Sequence, residues 1–234
     1  QSELLELKAV KEGDASGVVV ESRVDAGRGV VATLLVSRGT LKIGDIVVAG
    51  ANWGRVKALL DYKGDRRKLA VPSEPVEILG LNSVPQAGDQ FAVVKSESRA
   101  REVSEYRQSL AQKNNPLTAR TTVTNVDQML TQIKQGQRKA LPIILKTDVN
   151  GSMEAISAAL RDLQNDEVTS QIILSGVGAL NESDIMLAVS SGAIVVAFNV
   201  RADAPAKKIA KQHNIEIKYY SIIYTILDDI KNLL

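Results

Sequence analysis

Gly29-Val30-Val31-Ala32-Thr33-Leu34-Leu35-Val36-Ser37, followed at once by Arg38-Gly39, decides the class of the first fold. The run is aliphatic and rich in β-branched residues, and it stops at a glycine able to adopt positive φ, which is how a strand and its turn read. Working outward, Gly17 to Ser22 precedes it, and Asp45 to Ala49, Gly54 to Leu60, Pro75 to Leu79 and Gln90 to Val94 follow. Ala26-Gly27, Ile43-Gly44-Asp45, Lys63-Gly64-Asp65 and Ala87-Gly88-Asp89 punctuate the series. So many short strands between Leu4 and Val94 predict an all-β barrel over residues 1–95, because closure removes exposed strand edges.

The period changes after Lys95. Glu97 to Lys113 is polar and favours helix, with Val103, Tyr106 and Leu110 on one stripe, until Asn114-Asn115-Pro116 stops it. Asn125 to Lys134 repeats the helical pattern through Val126, Leu130 and Ile133. Residues 96–140 therefore read as a helical connector, with Asn114-Asn115-Pro116 and Gly136 as candidate pivots.

From Leu141 strands and helices alternate. Leu141 to Lys146, Ile172 to Leu174, Ala193 to Phe198 and Ile215 to Tyr219 are short apolar runs of the kind buried on both faces of a parallel sheet. Helix starts are expected at Ser152, at Asn181 with Asp184 as a capping box, at Asp203 with Pro205, and after Ser221. Residues 141–234 are thus expected to form a three-layer α/β domain on a four-stranded parallel sheet, and the whole chain a multi-domain arrangement.

Composition narrows the chemistry. The 234 residues are 44% hydrophobic and 24% charged, which suits packed globular domains. Cysteine is absent, excluding disulfides, thiolate zinc sites and a Cys nucleophile. Aromatics are 3%, so base-stacking platforms are scarce. No apolar run approaches the ~20 residues that cross a bilayer, and the first residues resemble no targeting peptide, so a soluble protein is expected; cytoplasmic location and a monomeric state are further expectations. The start at Gln1 and the end at Leu234, inside an apolar helical pattern, suggest a piece of something larger. Lys and Arg number 13 against 12 Asp and Glu over residues 1–95, 8 against 4 over 96–140, and 8 against 11 over 141–234. An anionic partner is therefore expected at the barrel and connector.

No GxxxxGK[ST] phosphate loop occurs in the sequence. Ser175-Gly176-Val177-Gly178-Ala179-Leu180-Asn181 begins like a dinucleotide fingerprint, but Asn181 stands where the third glycine belongs, which favours a plain βα turn. Asp148-Val149-Asn150-Gly151-Ser152 lies where α/β folds bind anions and reads equally as an ordinary helix start. His213 is the one histidine and reads as a solvated helix end, while Asp228-Asp229 diverge on a helix and read as surface. The densest charge is Lys63, Arg66, Arg67 and Lys68; Arg23, Arg28, Arg38, Lys42, Arg55 and Lys57 lie in or near turns. These can hold phosphates, or be a solvated face neutralised by Asp61 and Asp65.

Gly27 to Val36 and Arg38-Gly39-Thr40-Leu41-Lys42-Ile43-Gly44-Asp45 resemble the barrel domain of translational GTPases. Gly54-Arg55-Val56-Lys57-Ala58, the Pro72-to-Leu81 string and Pro85-Gln86-Ala87-Gly88-Asp89 narrow the resemblance to the bacterial translation initiation factor 2 family. Lys146 to Ala155, Gly176 to Asp184, Ala197-Phe198-Asn199-Val200-Arg201 and Tyr220-Ser221-Ile222-Ile223-Tyr224 resemble that family's next domain.

The resemblance implies a GTP-dependent factor that brings initiator formylmethionyl-tRNA to the small ribosomal subunit and promotes subunit joining. It also implies that the GTPase domain, with its GTP and magnesium, precedes Gln1 and that a tRNA-binding barrel follows Leu234. The segment itself is then expected to be no enzyme, to hold no cofactor, and to touch small-subunit RNA through Arg28, Arg55, Arg66, Arg67 and Lys68. Large subunit and initiator tRNA would be met through the other domains. Two rival expectations are a spacer that contacts nothing and a small-ligand site around Asp148, Gly151, Gly176 and Asn199.

Overall fold

The computed structural model describes residues 8–25, 27–113, 139–163 and 168–233. The chain divides into two units, residues 1–119 and 120–234.

In the first unit, β1 (Ser16–Asp25), β2 (Gly29–Arg38), β4 (Ile46–Ala49), β5 (Asn52–Leu60), β8 (Pro75–Leu81) and β9 (Gln90–Val94) run antiparallel. Their order is β4-β9-β1-β2-β8-β5, and β5 pairs back with β4, so six strands close a barrel. Period-two alternation fills it: Ala32, Leu34 and Val36 of β2 point inward with Val76 and Ile78 of β8, Val19, Val47, Val56 and Phe91. The expected barrel is therefore present. Three two-residue strands, β3 (Leu41–Lys42), β6 (Arg66–Arg67) and β7 (Leu69–Ala70), escape sequence reading because two residues set no period.

The barrel wall is tightest where β5 meets β8. A Cβ on Gly80, whose φ is +119°, would fall on the Arg55 carbonyl oxygen, and one on Gly54 would fall on the Gly80 carbonyl. Glycine at both positions lets the two backbones touch where the register shifts between Gly54 and Ala58.

Helix α1 (Glu97–Lys113), expected in the connector, packs on this unit. Ser104 Oγ and Gln108 Nε2 donate to the Ala51 carbonyl at 2.6 and 3.0 Å, and Arg107 Nη1 donates to that of Gly50 at 2.6 Å. The second expected connector helix, Asn125 to Lys134, and the candidate pivots at residues 114–116 and 136 lie outside the described residues.

In the second unit, β10 (Lys139–Thr147), β11 (Val168–Val177), β12 (Ile194–Phe198) and β13 (Ile217–Tyr220) form a parallel sheet in the order β11-β10-β12-β13. Helices α2 (Asn150–Asp162) and α5 (Ile223–Leu233) cover one face through Ile156, Leu160, Ile226 and Ile230 against Ile143, Leu145, Val196 and Phe198. Helices α3 (Glu182–Ser191) and α4 (Ala204–Gln212) cover the other through Ile185, Ala188, Ala206 and Ala210 against Ile144, Val195 and Ala197. This is the expected three-layer arrangement. The strand expected at Ile172 to Leu174 extends much further, because an edge strand accommodates polar residues such as Ser170, whose Oγ donates to the Leu160 carbonyl. The helix start expected at Ser152 falls at Asn150 after an extended Val149, with no side-chain cap.

Candidate functional site

Two places qualify by position: the carboxyl ends of the parallel strands, and the basic turns of the barrel. In the α/β unit, β10 and β12 are neighbours whose following helices lie on opposite faces of the sheet, the crevice where such sheets bind ligands. Its polar groups bond to one another. Asn199, held at φ +53°, donates from Nδ2 to Asp148 Oδ2 at 3.2 Å, while Asp148 Oδ1 accepts the Val149 amide at 2.9 Å. Asn150 Nδ2 donates to Glu154 Oε1 at 3.3 Å.

The end of β11 at Gly176 is organised around a cation. Lys146 Nζ lies 3.1 Å from Asp184 Oδ2, with side chains 12% and 5% exposed. That carboxylate also accepts the Asn181 amide at 2.9 Å, while Asn181 Oδ1 accepts the Asp184 amide at 2.9 Å, completing the expected capping box. A Cβ on Gly176 would sit 3.2 Å from Lys146 Nζ, so the first glycine of the fingerprint-like string makes room for the lysine. Nothing in Lys146 read alone announced the pair; the signal was an Asp in a capping box within a sheet-edge turn.

The remaining singled-out residues are structural. His213 is exposed at the C-cap of α4, where its amide donates to the Ile209 carbonyl. Asp203 Oδ1 accepts the Ala206 amide at 2.7 Å at the N-terminus of α4. Asp228 is exposed, but Asp229 Oδ2 accepts the Tyr220 hydroxyl at 2.7 Å. Burial, then this hydrogen bond, pushes the Tyr220 phenol well above its ordinary range. Among the described residues no group of three His, Cys, Asp or Glu is placed to hold a metal, and no helix is long and apolar enough to cross a membrane.

In the barrel the sequence-selected cations divide. Register sets Leu60 opposite Glu77 and Leu35 opposite Pro75 at one end, and Gly54 opposite Leu81 and Val31 opposite Leu79 toward the other. Arg28 and Arg55 belong to the second end and are engaged. Arg28 Nη2 and Nε donate to Asp25 Oδ2 at 2.7 and 3.0 Å. That guanidinium, with the Gly27 amide, lowers the Asp25 carboxyl to about 2. Arg55 Nη2 donates to Glu97 Oε1 at 2.8 Å, tying β5 to α1.

Arg66, Arg67 and Lys68 belong to the first end, on and after the β5–β6 hairpin. Its turn is closed by Asp61, whose Oδ1 accepts the Lys63 and Asp65 amides at 2.9 and 3.0 Å. Partial burial opposes the Asp61 charge, but these amides and Arg67 outweigh it and hold the carboxyl below its ordinary value. Arg67 Nε reaches Asp61 Oδ2 at only 3.5 Å, and Arg66 and Lys68 make no ion pair among the described residues. The β3–β7 ladder sets Lys42 opposite Leu69, bringing another exposed cation beside Lys68. Sequence reasoning placed Lys42 only near a turn; the two-residue ladder that gathers it was illegible. Tyr62, 82% exposed, stands in the same turn with Lys63 Nζ 5.5 Å from its ring centre.

Comparison with known proteins gives consistent results. A family model described as translation-initiation factor 2 matches residues 116–231, and one described as elongation factor G domain 2 matches residues 14–94. The translation initiation factor IF-2 of Azorhizobium caulinodans is 53% identical over 99% of this chain and 22% of its own length. That of Maricaulis maris is 51% identical over 99% of this chain and 27% of its own length. The chain thus spans about a quarter of these relatives. In fold it is similar to GDP-bound aIF5B from Aeropyrum pernix, with a TM-score of 0.50, 24% identity, and coverage of 96% of this chain and 37% of the other.

Proposed function

The chain belongs to the translation initiation factor 2 family, and from that premise we propose that this segment docks the factor on RNA of the small ribosomal subunit and spaces its flanking domains. One observation carries the reading: among the described residues Arg66 and Lys68, on and after the β5–β6 hairpin, have no ion-pair partner, with Lys63 in the same turn and Lys42 opposite Leu69, whereas Arg28 and Arg55 are engaged. Unpaired guanidinium and ammonium groups can take phosphate oxygens without first losing a protein partner. Arg66 and Lys68 are the principal contacts, with Arg67, 3.5 Å from Asp61 Oδ2, beside them. Arg28 and Arg55 are secondary, since Asp25 and Glu97 already hold them.

The α/β unit is the spacer. The bonds among Asp148, Asn199, Lys146 and Asp184 stiffen the strand ends where a ligand would otherwise sit. No turnover and no cofactor is assigned to the segment; GTP, magnesium, initiator tRNA and the large subunit belong to other parts of the intact factor.

Charge reversal of Lys63, Arg66 and Lys68 together in the intact factor tests the reading by small-subunit binding across a salt series. Each phosphate contact adds roughly one to the slope of log affinity against log salt. The variant is expected to bind more weakly with a slope shallower by roughly two to three. Unchanged binding and an unchanged slope mean that the segment is a spacer only.

A further inference from the structure

Next to the cationic hairpin lies a hollow of about 140 Å³, lined chiefly by Asp61, Tyr62, Arg67, Leu69, Pro75 and Val76. Its chemistry differs from that of the rim. Lys63, Arg66 and Lys68 are exposed and adjoin lining residues in sequence, whereas the lining combines aliphatic carbon, one phenol ring, the carboxylates of Asp61 and Glu74 and the single guanidinium of Arg67. Resting on the docking reading above, we propose that this hollow takes one unpaired nucleobase of the bound RNA, stacked on Tyr62.

Three features support it. Tyr62 is 82% and Leu69 48% exposed, so an aromatic and an aliphatic side chain stand in water beside a hollow that an inserted ring would cover. Both flank the principal cations in sequence, and the cation over the Tyr62 ring is its own neighbour Lys63. Every base has a π-face, and single-stranded RNA is gripped by such a ring beside backbone-tracking cations.

The carboxylates decide between base and phosphate. Asp61 and Glu74 outnumber the one Arg67 guanidinium in the lining and so disfavour a phosphate there, while Glu74 can accept a hydrogen bond from the amino edge of a base. Asp61 accepts two amides and lies 3.5 Å from Arg67 Nε; Glu74 Oε2 accepts the Val71 amide at 3.0 Å, and Glu74 Oε1 takes no hydrogen bond among the described residues. Phosphates then lie outside, on Lys63, Arg66 and Lys68, while the uncharged ring enters. An A-form duplex keeps its bases stacked and cannot supply one, so single-stranded RNA is the substrate class.

The experiment uses the full chain and single-stranded oligoribonucleotides of about eight nucleotides, one carrying 2-aminopurine, with a hairpin duplex as competitor. Wild-type protein is expected to change the 2-aminopurine fluorescence and to prefer the single strand. Tyr62→Ala is expected to lower single-strand affinity about tenfold and abolish the fluorescence change, leaving duplex binding unaltered; Tyr62→Phe retains both. The fluorescence of Trp53, the single tryptophan, verifies that each variant is folded. If Tyr62→Ala binds the single strand like wild type while reversal of Lys63, Arg66 and Lys68 weakens it, docking survives and base insertion is overturned. If wild type binds neither RNA, or binds both equally with no fluorescence change, base insertion is overturned as well, and in the first case docking with it.

Discussion

The two units use their turns in opposite ways. In the α/β unit, turns at the carboxyl ends of the strands close on themselves: Asp148 holds Asn199, and Asp184 holds Lys146 and the Asn181 amide. In the barrel, the β5–β6 hairpin closes its backbone on Asp61 alone and leaves Arg66, Lys68 and Tyr62 outward. Both turns are closed by hydrogen bonds, yet only one has charge to offer. Position in a fold therefore nominates a site, and the partners of its polar groups decide whether it is free to act.

The largest expected effect separates the two kinds of close approach. Gly80→Ala in the barrel forces a Cβ onto the rigid Arg55 carbonyl at positive φ, and about 3 kcal/mol or more of stability is lost. Gly176→Ala meets only the tip of Lys146, which can move by a few tenths of an ångström, and changes stability by less than about 1 kcal/mol. Urea unfolding separates the outcomes, with Trp53 fluorescence reporting the barrel and far-ultraviolet circular dichroism the helices. Equal losses would show that the barrel wall yields at Gly80 as readily as a lysine side chain does.

Removing the cation inside the α/β unit comes next. Lys146→Met strands the Asp184 carboxylate, 5% exposed, and is expected to cost about 3 kcal/mol. The double variant with Asp184→Asn recovers part of that loss, since no charge remains unpaired. The comparison with the barrel is sharp here: Arg66→Met, with no ion-pair partner to strand among the described residues, leaves stability within about 0.5 kcal/mol.

Much of this contrast is legible in the order of the amino acids. Period-two runs such as Ala32, Leu34 and Val36 specify the barrel, and the four apolar runs specify the parallel sheet, because burial on one face or two writes itself into spacing. The capping box at Asn181 is equally plain, since its two residues lie three apart. What stays hidden depends on contacts between distant residues. By residue type and spacing Arg55 is as available as Arg66, yet Glu97 holds it from 42 residues away. The exposed tyrosine, the hollow beside it and the arrival of Lys42 depend on a two-residue ladder with no period to betray it.

A cap deletion gives a smaller effect in the α/β unit. Asn181→Ala leaves the Asp184 amide without its side-chain acceptor and is expected to cost about 1 kcal/mol. Circular dichroism melting resolves this, while Trp53 fluorescence should not move.

The smallest effect splits the units by pH. Asp25 is held at about 2 by Arg28 against an ordinary 3.8, so its charged form is favoured by folding. Its contribution to the barrel is complete above the ordinary value and is lost as the pH falls from about 4 to about 2. Tyr220 has the reverse sign: burial and Asp229 raise its phenol above the ordinary 10.0, so the neutral form is favoured. Its contribution to the α/β unit is complete below pH 10 and is lost as the pH rises beyond it. Wild type and Asp25→Asn should therefore differ in Trp53-monitored urea midpoint near pH 5 and converge toward pH 2. Wild type and Tyr220→Phe should differ in the helical signal near pH 8 and converge above pH 10. A difference that persists at pH 2 for Asp25→Asn would mean that the carboxylate acts through its turn geometry, by accepting the Gly27 and Arg28 amides, and not through the charge that Arg28 holds.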